Sequence, residues 1–574
     1  VLLILVSLPL ATLAASKIRI EGIEDDVRKN VEAYLSIGDE PCDAPVWRIR
    51  ARFERADKEI TQALQAYGYY RSVIRTQLQM TENCWQATFN IEPGPRVSVG
   101  TVDLQIEGEA ESDPEFNELR SETFIRPGEK LQQDHYEELK RTIESLAAKR
   151  GYLDGRFVAH ELRVTPSKAI ADIHLHYDSG TRFHFGTTQI DQNAVKRSIV
   201  RGLITYHEGD PYDSDEITKT SRALSNSGYF SQVKVRPQID KAKDRNIPIA
   251  ITLTPSKRRK YNVSLGFATD TGPRLRLGFE DRRINKRGHR FRSKLLLSEV
   301  ESEFTAGLQI PLDNPRAEFL SFDSGYKRER TKSSRSETIK LGASRTYNRR
   351  YGWLEKRFLE AFDEDFTVAS ESDKAKVLTP GVNWSKVVTD NPIFIRNGYR
   401  LFVEARGSLV GLLSDLSLLQ MNVKAKGIIG LPWRTRLIAR TDLGATWLEN
   451  KFSTVPPSLR FFAGGDNSVR GYDYKSLGPE NVLGDVIGGR NLLVGSLEID
   501  HLVTQNWGIA AFIDMGNAFN NTEITDLHAI ELKTGVGIGL RWHSPIGPVR
   551  LDLAFALDKQ HNKFQPHISM GPDL

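Results

Sequence analysis

The chain has 574 residues, room for several domains or for one large barrel with accessory domains. Hydrophobic residues make up 39% and the mean hydropathy is −0.41; the only long apolar run is at the N-terminus, which excludes a membrane-spanning helix further on but not a barrel, whose strands dilute the apolar signal by alternation. The net charge of +5 is modest, and the basic runs Lys257–Lys260 and Lys327–Arg335 have no aromatic platform or reading helix beside them, which argues against nucleic acid.

Val1 to Leu10 is almost wholly apolar and is followed by the small residues Ala11, Ala14 and Ala15. This is the pattern of a secretory signal peptide over residues 1–15, with a mature start near Ala15 or Ser16. Export permits disulfides. The two cysteines, Cys42 and Cys84, both fall in the first of the repeats described next, so a bridge inside one small domain is expected, with free thiols as the alternative. Two thiols without a histidine cluster make no metal site.

Three segments follow one βααββ plan: 16–95, 96–181 and 182–256. Each has a helical run that ends on a Gly-aromatic turn: Asp57 to Tyr67 before Gly68-Tyr69-Tyr70, Asp134 to Arg150 before Gly151-Tyr152-Leu153, and Ser214 to Ser227 before Gly228-Tyr229-Phe230. Glycine just past a helix is a C-cap signal. Asp57, Asp134 and Ser214 or Asp215 are the expected N-caps. A second echo marks the joints: Gly94-Pro95-Arg96-Val97-Ser98-Val99-Gly100 and Gly180-Thr181-Arg182-Phe183-His184-Phe185-Gly186 share the form Gly-x-Arg-apolar-x-apolar-Gly. Two echoes in register predict a tandem array. His174 and His176 share a strand face in the second repeat, but no acid or thiol stands at ligand spacing in the sequence, so they read as a solvated face.

From residue 257 to 574 the texture changes to segments of about ten residues with alternating polarity, the signature of an antiparallel transmembrane barrel; their count is about sixteen. Tyr261, Val263, Leu265 and Phe267 share one face of the first strand, and Val549, Leu551, Leu553, Phe555 and Leu557 one face near the end. The basic run Lys257–Lys260 stands just before the first strand, where lipid headgroups are a natural partner and a solvated hinge is the alternative. The first and last strands must meet. Pro566 in the last cannot donate a ladder hydrogen bond, and Gly266 in the first adds flexibility, so the seam formed by Val263, Leu265, Gly266, Phe564, Pro566 and Ile568 is expected to be short and weak.

One long polar segment, 461–490, interrupts the strands and carries Val469-Arg470-Gly471-Tyr472 after Gly464-Gly465-Asp466-Asn467. Such a tip folds tightly and aims one fixed positive charge. Alternation places Glu498, Phe512, Asp514 and Gly516 in the lumen, beside a bare inner stripe of Gly535, Gly537 and Gly539. Arg470 is therefore expected to pair with Glu498 and Asp514, with Tyr472 over the stripe. No nucleophile elbow or phosphate loop is present in the sequence, so no enzyme, metal or cofactor is expected.

Val469-Arg470-Gly471-Tyr472 and Phe512-Ile513-Asp514-Met515-Gly516 resemble the loop motif and the FxDxG strand motif of the BamA/TamA superfamily of outer-membrane insertases, and the repeats over roughly residues 17–255 resemble POTRA domains. The three repeats and the length are most similar to its TamA branch. The resemblance implies an outer-membrane barrel with periplasmic POTRA domains and a loop 461–490 that folds back and locks inside. It implies insertion or translocation of unfolded outer-membrane proteins, autotransporters among them, through a lateral gate. It also implies an inner-membrane-anchored, periplasm-spanning partner of the TamB kind. The chain departs from the family at its end, Gly571-Pro572-Asp573-Leu574, which lacks a terminal aromatic, so Phe564 and Ile568 are the candidate insertion signal. Phospholipid transport with the same partner, a two-partner-secretion transporter and a passive channel are the alternatives.

Overall fold

The computed structural model describes residues 18–82, 84–312, 315, 318–391, 394–520, 530–544, 547–559 and 564–570. The expected signal peptide and the terminal Gly571–Leu574 lie outside the described residues. The chain divides into two compact units: one runs to Gln189 and includes 206–219 and 236–250, and the other holds 190–205, 220–235 and everything from Ile251 on.

The first repeat runs β1 (Ile18–Glu21), α1 (Asp25–Tyr34), α2 (Val46–Ala66), β2 (Val73–Met80) and β3 (Trp85–Glu92). The second runs β4 (Ser98–Glu107), α3 (Pro114–Ser121), α4 (Gln133–Arg150), β5 (Arg156–Thr165) and β6 (Ile170–Asp178). The third runs β7 (His184–Asp191), α5 (Arg197–Arg201), α6 (Ser214–Asn226), β8 (Phe230–Pro237) and β9 (Asn246–Pro255). Each sheet sets the last strand in the middle, in the orders β1-β3-β2, β4-β6-β5 and β7-β9-β8. The central strand buries every second residue against the helices: Trp85, Ala87, Phe89 and Ile91 in β3 meet Ile49, Ile60 and Leu64 of α2. In the second repeat Ala171, Ile173, Leu175 and Tyr177 meet Tyr136, Leu139 and Ile143. Cys42 and Cys84 are joined, which ties the segment before α2 to the start of β3.

Several local expectations are corrected. Helix α2 starts at Val46 behind Pro45, so Asp57 is a mid-helix residue and not a cap. Pro45 cannot continue a helix backwards, which makes it a natural start signal. In α4 the flanking residue is Gln132, and Asp134 sits in the first turn, where it complements the helix dipole. At α6 the capping carboxylate is Asp213, which accepts from Asp215 N at 2.8 Å. His174 and His176 do face acids, Asp103 at 3.5 Å and Glu107 at 2.9 Å, supplied by β4 across the sheet. Among the described residues no three such groups gather into a metal site.

The joint motif has a physical reason. Gly68, Gly151 and Gly228 take φ of 86°, 83° and 74°, a conformation that suits glycine and ends each helix. The arginine of the next repeat then binds the carbonyl before that glycine: Arg96 Nε to Tyr67 O at 2.8 Å, and Arg182 Nε to Arg150 O at 2.6 Å. Each guanidinium also lies over the turn tyrosine, 5.8 Å from Tyr69 and 5.7 Å from Tyr152. Burial and the Asp113 carboxylate push the Tyr152 phenol up to about 12, so it stays a hydrogen-bond donor. At the third joint this arginine comes from the barrel. Arg290 of β12 (Arg290–Leu297) donates to Ser227 O and lies 4.4 Å from the Tyr229 ring, while Tyr229 OH donates to Gly288 O at 2.7 Å.

Sixteen antiparallel strands follow in sequence order, from β10 (Arg259–Ala268) to β25 (Phe564–Met570). Alternate residues face outward and stay apolar, because the outer surface is wet by lipid and the lumen is polar. The outward residues Tyr261, Val263 and Leu265 of β10 are 69%, 70% and 81% exposed.

Candidate functional site

The site is a loop seated against the inner wall, next to the place where the sheet ends meet. Its wall is β20 (Thr435–Leu448), β21 (Asn491–Leu502), β22 (Trp507–Phe519), β23 (Lys533–Ser544) and β24 (Gly547–Ala556), with β25 after them. The loop 461–490 folds on itself through bridges at Phe461–Gly489, Ala463–Leu477 and Glu480–Val486. Gly464, Gly465 and Gly471 take positive φ of 98°, 103° and 93°, which allows the tight tip that presents residues 469–472. Val469, Arg470 and Tyr472 are buried.

Arg470 is bound on every side. Its Nε and Nη2 meet the two oxygens of Asp514 at 2.7 and 3.0 Å, and its backbone N–H donates to the same carboxylate at 3.1 Å. Its Nη1 reaches Glu498 at 2.9 Å and Asp552 at 3.0 Å. The guanidinium carbon lies 3.3 Å from the centroid of the Phe512 ring. A planar fork with several donors can satisfy this set; a single ammonium cannot. Arg541 of β23 completes the cluster, binding Glu498 at 2.7 Å and Asp552 at 2.5 Å. Charges buried in such numbers persist only when each is paired.

The sequence reading missed Asp552 and Arg541. The signal was present: alternation had put Asp552 on the inner face, and Arg541 shares the parity of Gly539. It also placed Tyr472 over the glycine stripe, and that is corrected. A Cβ on Gly535 would come within 1.9 Å of the Arg470 carbonyl oxygen, so the loop backbone fills that place. At Gly537 it would meet the Phe512 ring at 2.3 Å, and at Gly539 the Asp552 carboxylate at 2.0 Å. Tyr472 lies beyond the stripe, its hydroxyl 3.1 Å from Asp558 and 3.4 Å from Thr534 O. Gly516 is a fourth tight position, where a Cβ would sit 2.6 Å from Leu493 O across to β21.

The expected closing pair of strands is also corrected. Among the described residues β10 pairs only with β11 (Gly272–Asp281), and β25 only with β24. Pro566 stands opposite Leu553, and Ile568 opposite Leu551. Phe564 packs edge-on against Phe555 at 5.1 Å. Val263 and Leu265 face outward, and a Cβ on Gly266 would meet nothing within 4 Å. Gly266 and Pro566 thus do not form a ladder. Instead, side chains hold the seam. Ile568 N donates to Thr269 Oγ1 at 3.2 Å, and Thr269 Oγ1 donates to Asp466 of the loop at 3.3 Å. Asp466 accepts from His567 Nδ1 at 2.5 Å, and His567 Nε2 accepts from Gly471 N at 2.9 Å. One loop carboxylate therefore touches both edge strands' neighbourhoods. No local pattern in the sequence announces a contact between residues so far apart.

Comparison with known proteins places this geometry. The Omp85 superfamily domain is matched over residues 246–572, the first POTRA domain of TamA over 17–93, and the surface antigen variable number repeat, also a POTRA unit, over 183–256. Outer membrane protein assembly factor BamA of Neorickettsia risticii is 22% identical over 492 residues, covering 82% of this chain and 65% of that one. BamA of Nitratidesulfovibrio vulgaris is 21% identical over 565 residues, covering 95% and 70%. The chain thus spans about two thirds of the length of these curated relatives. The crystal structure of Haemophilus ducreyi BamA lacking POTRA domains 1–3 superposes with a TM-score of 0.63 at 16% identity, covering 83% of this chain and 99% of that one.

Proposed function

The chain belongs to the Omp85 superfamily, an outer-membrane barrel with periplasmic POTRA domains, and on that premise we propose that it inserts or translocates outer-membrane proteins, autotransporters among them, through a lateral opening between β10 and β25. Client strands pair with the free edge of β10, and the free energy comes from client folding and burial of backbone polar groups in lipid. The loop tip seated by Arg470 holds the wall beside that opening in place. A long periplasmic protein of the TamB kind, anchored in the inner membrane, delivers the client to the repeats, whose sheet edges accept extended segments.

The observation that carries this reading is the seam: among the described residues β10 has a laddered neighbour on one side only, and its other side meets β25 through the Thr269 hydroxyl. An edge of that kind is a template for another strand. The test is a reversible tether. A Thr269→Cys/Ile568→Cys variant, oxidised in proteoliposomes, should stop folding of a urea-denatured autotransporter, and reduction should restore it. Reduction also opens the Cys42–Cys84 bridge, so the parent protein is reduced in parallel. Unimpaired client folding by the oxidised variant overturns the gate. Delivery of phospholipid is a second reading, favoured by the cationic surface described next, and the lipid composition of a deletion strain separates the two.

A further inference from the structure

The foot of β10 carries an unusual charge. Between Ser256 and Asn262 and between Gly278 and Arg292 stand ten Lys and Arg against two acids, Glu280 and Asp281. The acids are used locally: Asp281 holds Arg258 at 2.9 Å, and Glu280 holds Arg292 at 3.3 Å. Arg283 donates to Ser256 O at 2.9 Å, and Arg290 clamps Ser227. Lys257, Arg259, Lys260, Lys286 and Arg287 are exposed; Asp281 and Glu280 stand opposite Arg259 and Lys260 across the ladder, but their carboxylates turn to Arg258 and Arg292, and none of the five makes a salt bridge among the described residues. Backbone bonds join the two groups into one surface, since Arg282 N donates to Arg258 O at 2.9 Å.

The level of this surface is fixed by aromatics. Tyr261 stands opposite Phe279 across β10 and β11, and Phe291 of β12 lies diagonally from Phe279, opposite Asp281, with ring centroids 5.4 and 6.3 Å apart along the row. Tyr261 shares the outward face with Val263 and Leu265, so the row is the lower rim of the lipid-facing belt. Aromatic rows of this kind sit at the headgroup level. The cations begin just periplasmic to it, with Arg259 on the same strand face as Tyr261 and Lys257 in the irregular segment before β10. Five unpaired cations at that depth meet phosphate groups and not bulk water.

We propose that Lys257, Arg259, Lys260, Lys286 and Arg287 form a collar that binds anionic phospholipid headgroups of the periplasmic leaflet at the foot of β10. The collar then ties the strand bearing the free edge to the leaflet through which a client must pass. The inference needs only the barrel's place in the membrane, so it stands or falls apart from the nature of the cargo.

The test uses the full-length protein in a neutral detergent and native mass spectrometry with dioleoyl phosphatidylglycerol or dioleoyl phosphatidylcholine. The expected result is retention of phosphatidylglycerol over phosphatidylcholine. Replacing all five cations by Gln should weaken that retention by roughly a hundred-fold, because each cation near an anionic surface adds to the attraction. A variant with every Lys exchanged for Arg and every Arg for Lys at the five positions should keep it. Equal retention of both lipids, or unchanged retention in the Gln variant, overturns the proposal. So does release of the lipid by millimolar inorganic phosphate, which would mark a free-phosphate site. If the Gln variant fails to fold, a photoactivatable phosphatidylglycerol on the parent protein decides: adducts within 257–260 and 284–289 support the collar, and adducts spread evenly over the barrel's rim refute it.

Discussion

His567 accepts the backbone N–H of Gly471 at 2.9 Å, so the last barrel strand grips the tip of the loop through an imidazole. The other ring nitrogen points at Asp466, which fixes the tautomer: Nδ1 carries the proton and Nε2 receives one. His567→Phe leaves the buried Gly471 N–H without a partner, at about 1–3 kcal/mol, and leaves the Asp466 carboxylate with the Thr269 hydroxyl but without the imidazole. Two measurements check it. The folded band of the variant should melt at a lower temperature on semi-native gels, and spin labels on the loop tip and on β25 should show a broader distance distribution. A narrow, unchanged distribution would remove His567 from the account of the seam.

Arg470 and Asp514 make the central pair, and the two arginine substitutions separate charge from shape. Arg470→Ala strands the acids Asp514, Glu498 and Asp552 with too little positive charge, a loss of roughly 3–5 kcal/mol for a broken buried pair. Arg470→Lys keeps the charge but not the fork or the face-on contact with Phe512, so it should fall between the parent and the alanine variant. Client folding in proteoliposomes, with gel melting in parallel, reads both. Equal defects in the two variants would mean that the fork is what counts, and full activity of both would dispose of the lock.

Much of this fold is legible in the sequence because both of its periodicities have strong physical causes. A barrel strand between lipid and a polar lumen must alternate, which is why the strand faces around Leu497 and Ile513 can be read directly. The helix-ending glycines announce three repeats because only a residue free to take positive φ ends those helices. The interior of the site is less legible. A bare glycine stripe shows that something approaches closely, but not which group does: the expected Tyr472 gives way to a carbonyl oxygen, that of Arg470. The seam is legible only in part: Pro566 signals a weak ladder, but nothing in a strand's own pattern says that a histidine of one edge and a threonine after the other will share one aspartate from a loop 101 residues from the first and 197 from the second.

Gly535 offers a sharper test of loop seating than any charged residue. A single methyl there would press on the Arg470 carbonyl, which is backbone and cannot swing aside. Gly535→Ala should therefore destabilise the seated loop by about 1–3 kcal/mol. Gly495→Ala on β21 is the control, because its Cβ meets nothing within 4 Å, and it should change stability by less than about 0.5 kcal/mol. Limited proteolysis of the loop checks the pair: faster cleavage near residues 469–472 in the first variant only is expected. Equal cleavage in both would mean that the loop backbone does not rest on the stripe.

Arg290 is the last case, and it asks whether the barrel has taken over a repeat's own device. Arg96 and Arg182 each bind the last helical carbonyl of the preceding repeat and cover its turn tyrosine. Arg290 does the same for the third repeat from β12, a place reached only after β10 and β11 have been laid down. The third joint is therefore complete only with the barrel's first three strands in place, and its rigidity depends on them. Arg290→Ala should raise hydrogen exchange at Ser227–Phe230 while leaving exchange at Gly151–Leu153 unchanged, and Arg182→Ala should do the reverse. Arg290→Lys retains a donor but not the flat stacking surface over Tyr229, so an intermediate rise is expected. Exchange at the third turn that ignores Arg290 would mean that the Tyr229 hydroxyl on Gly288 O carries the joint alone.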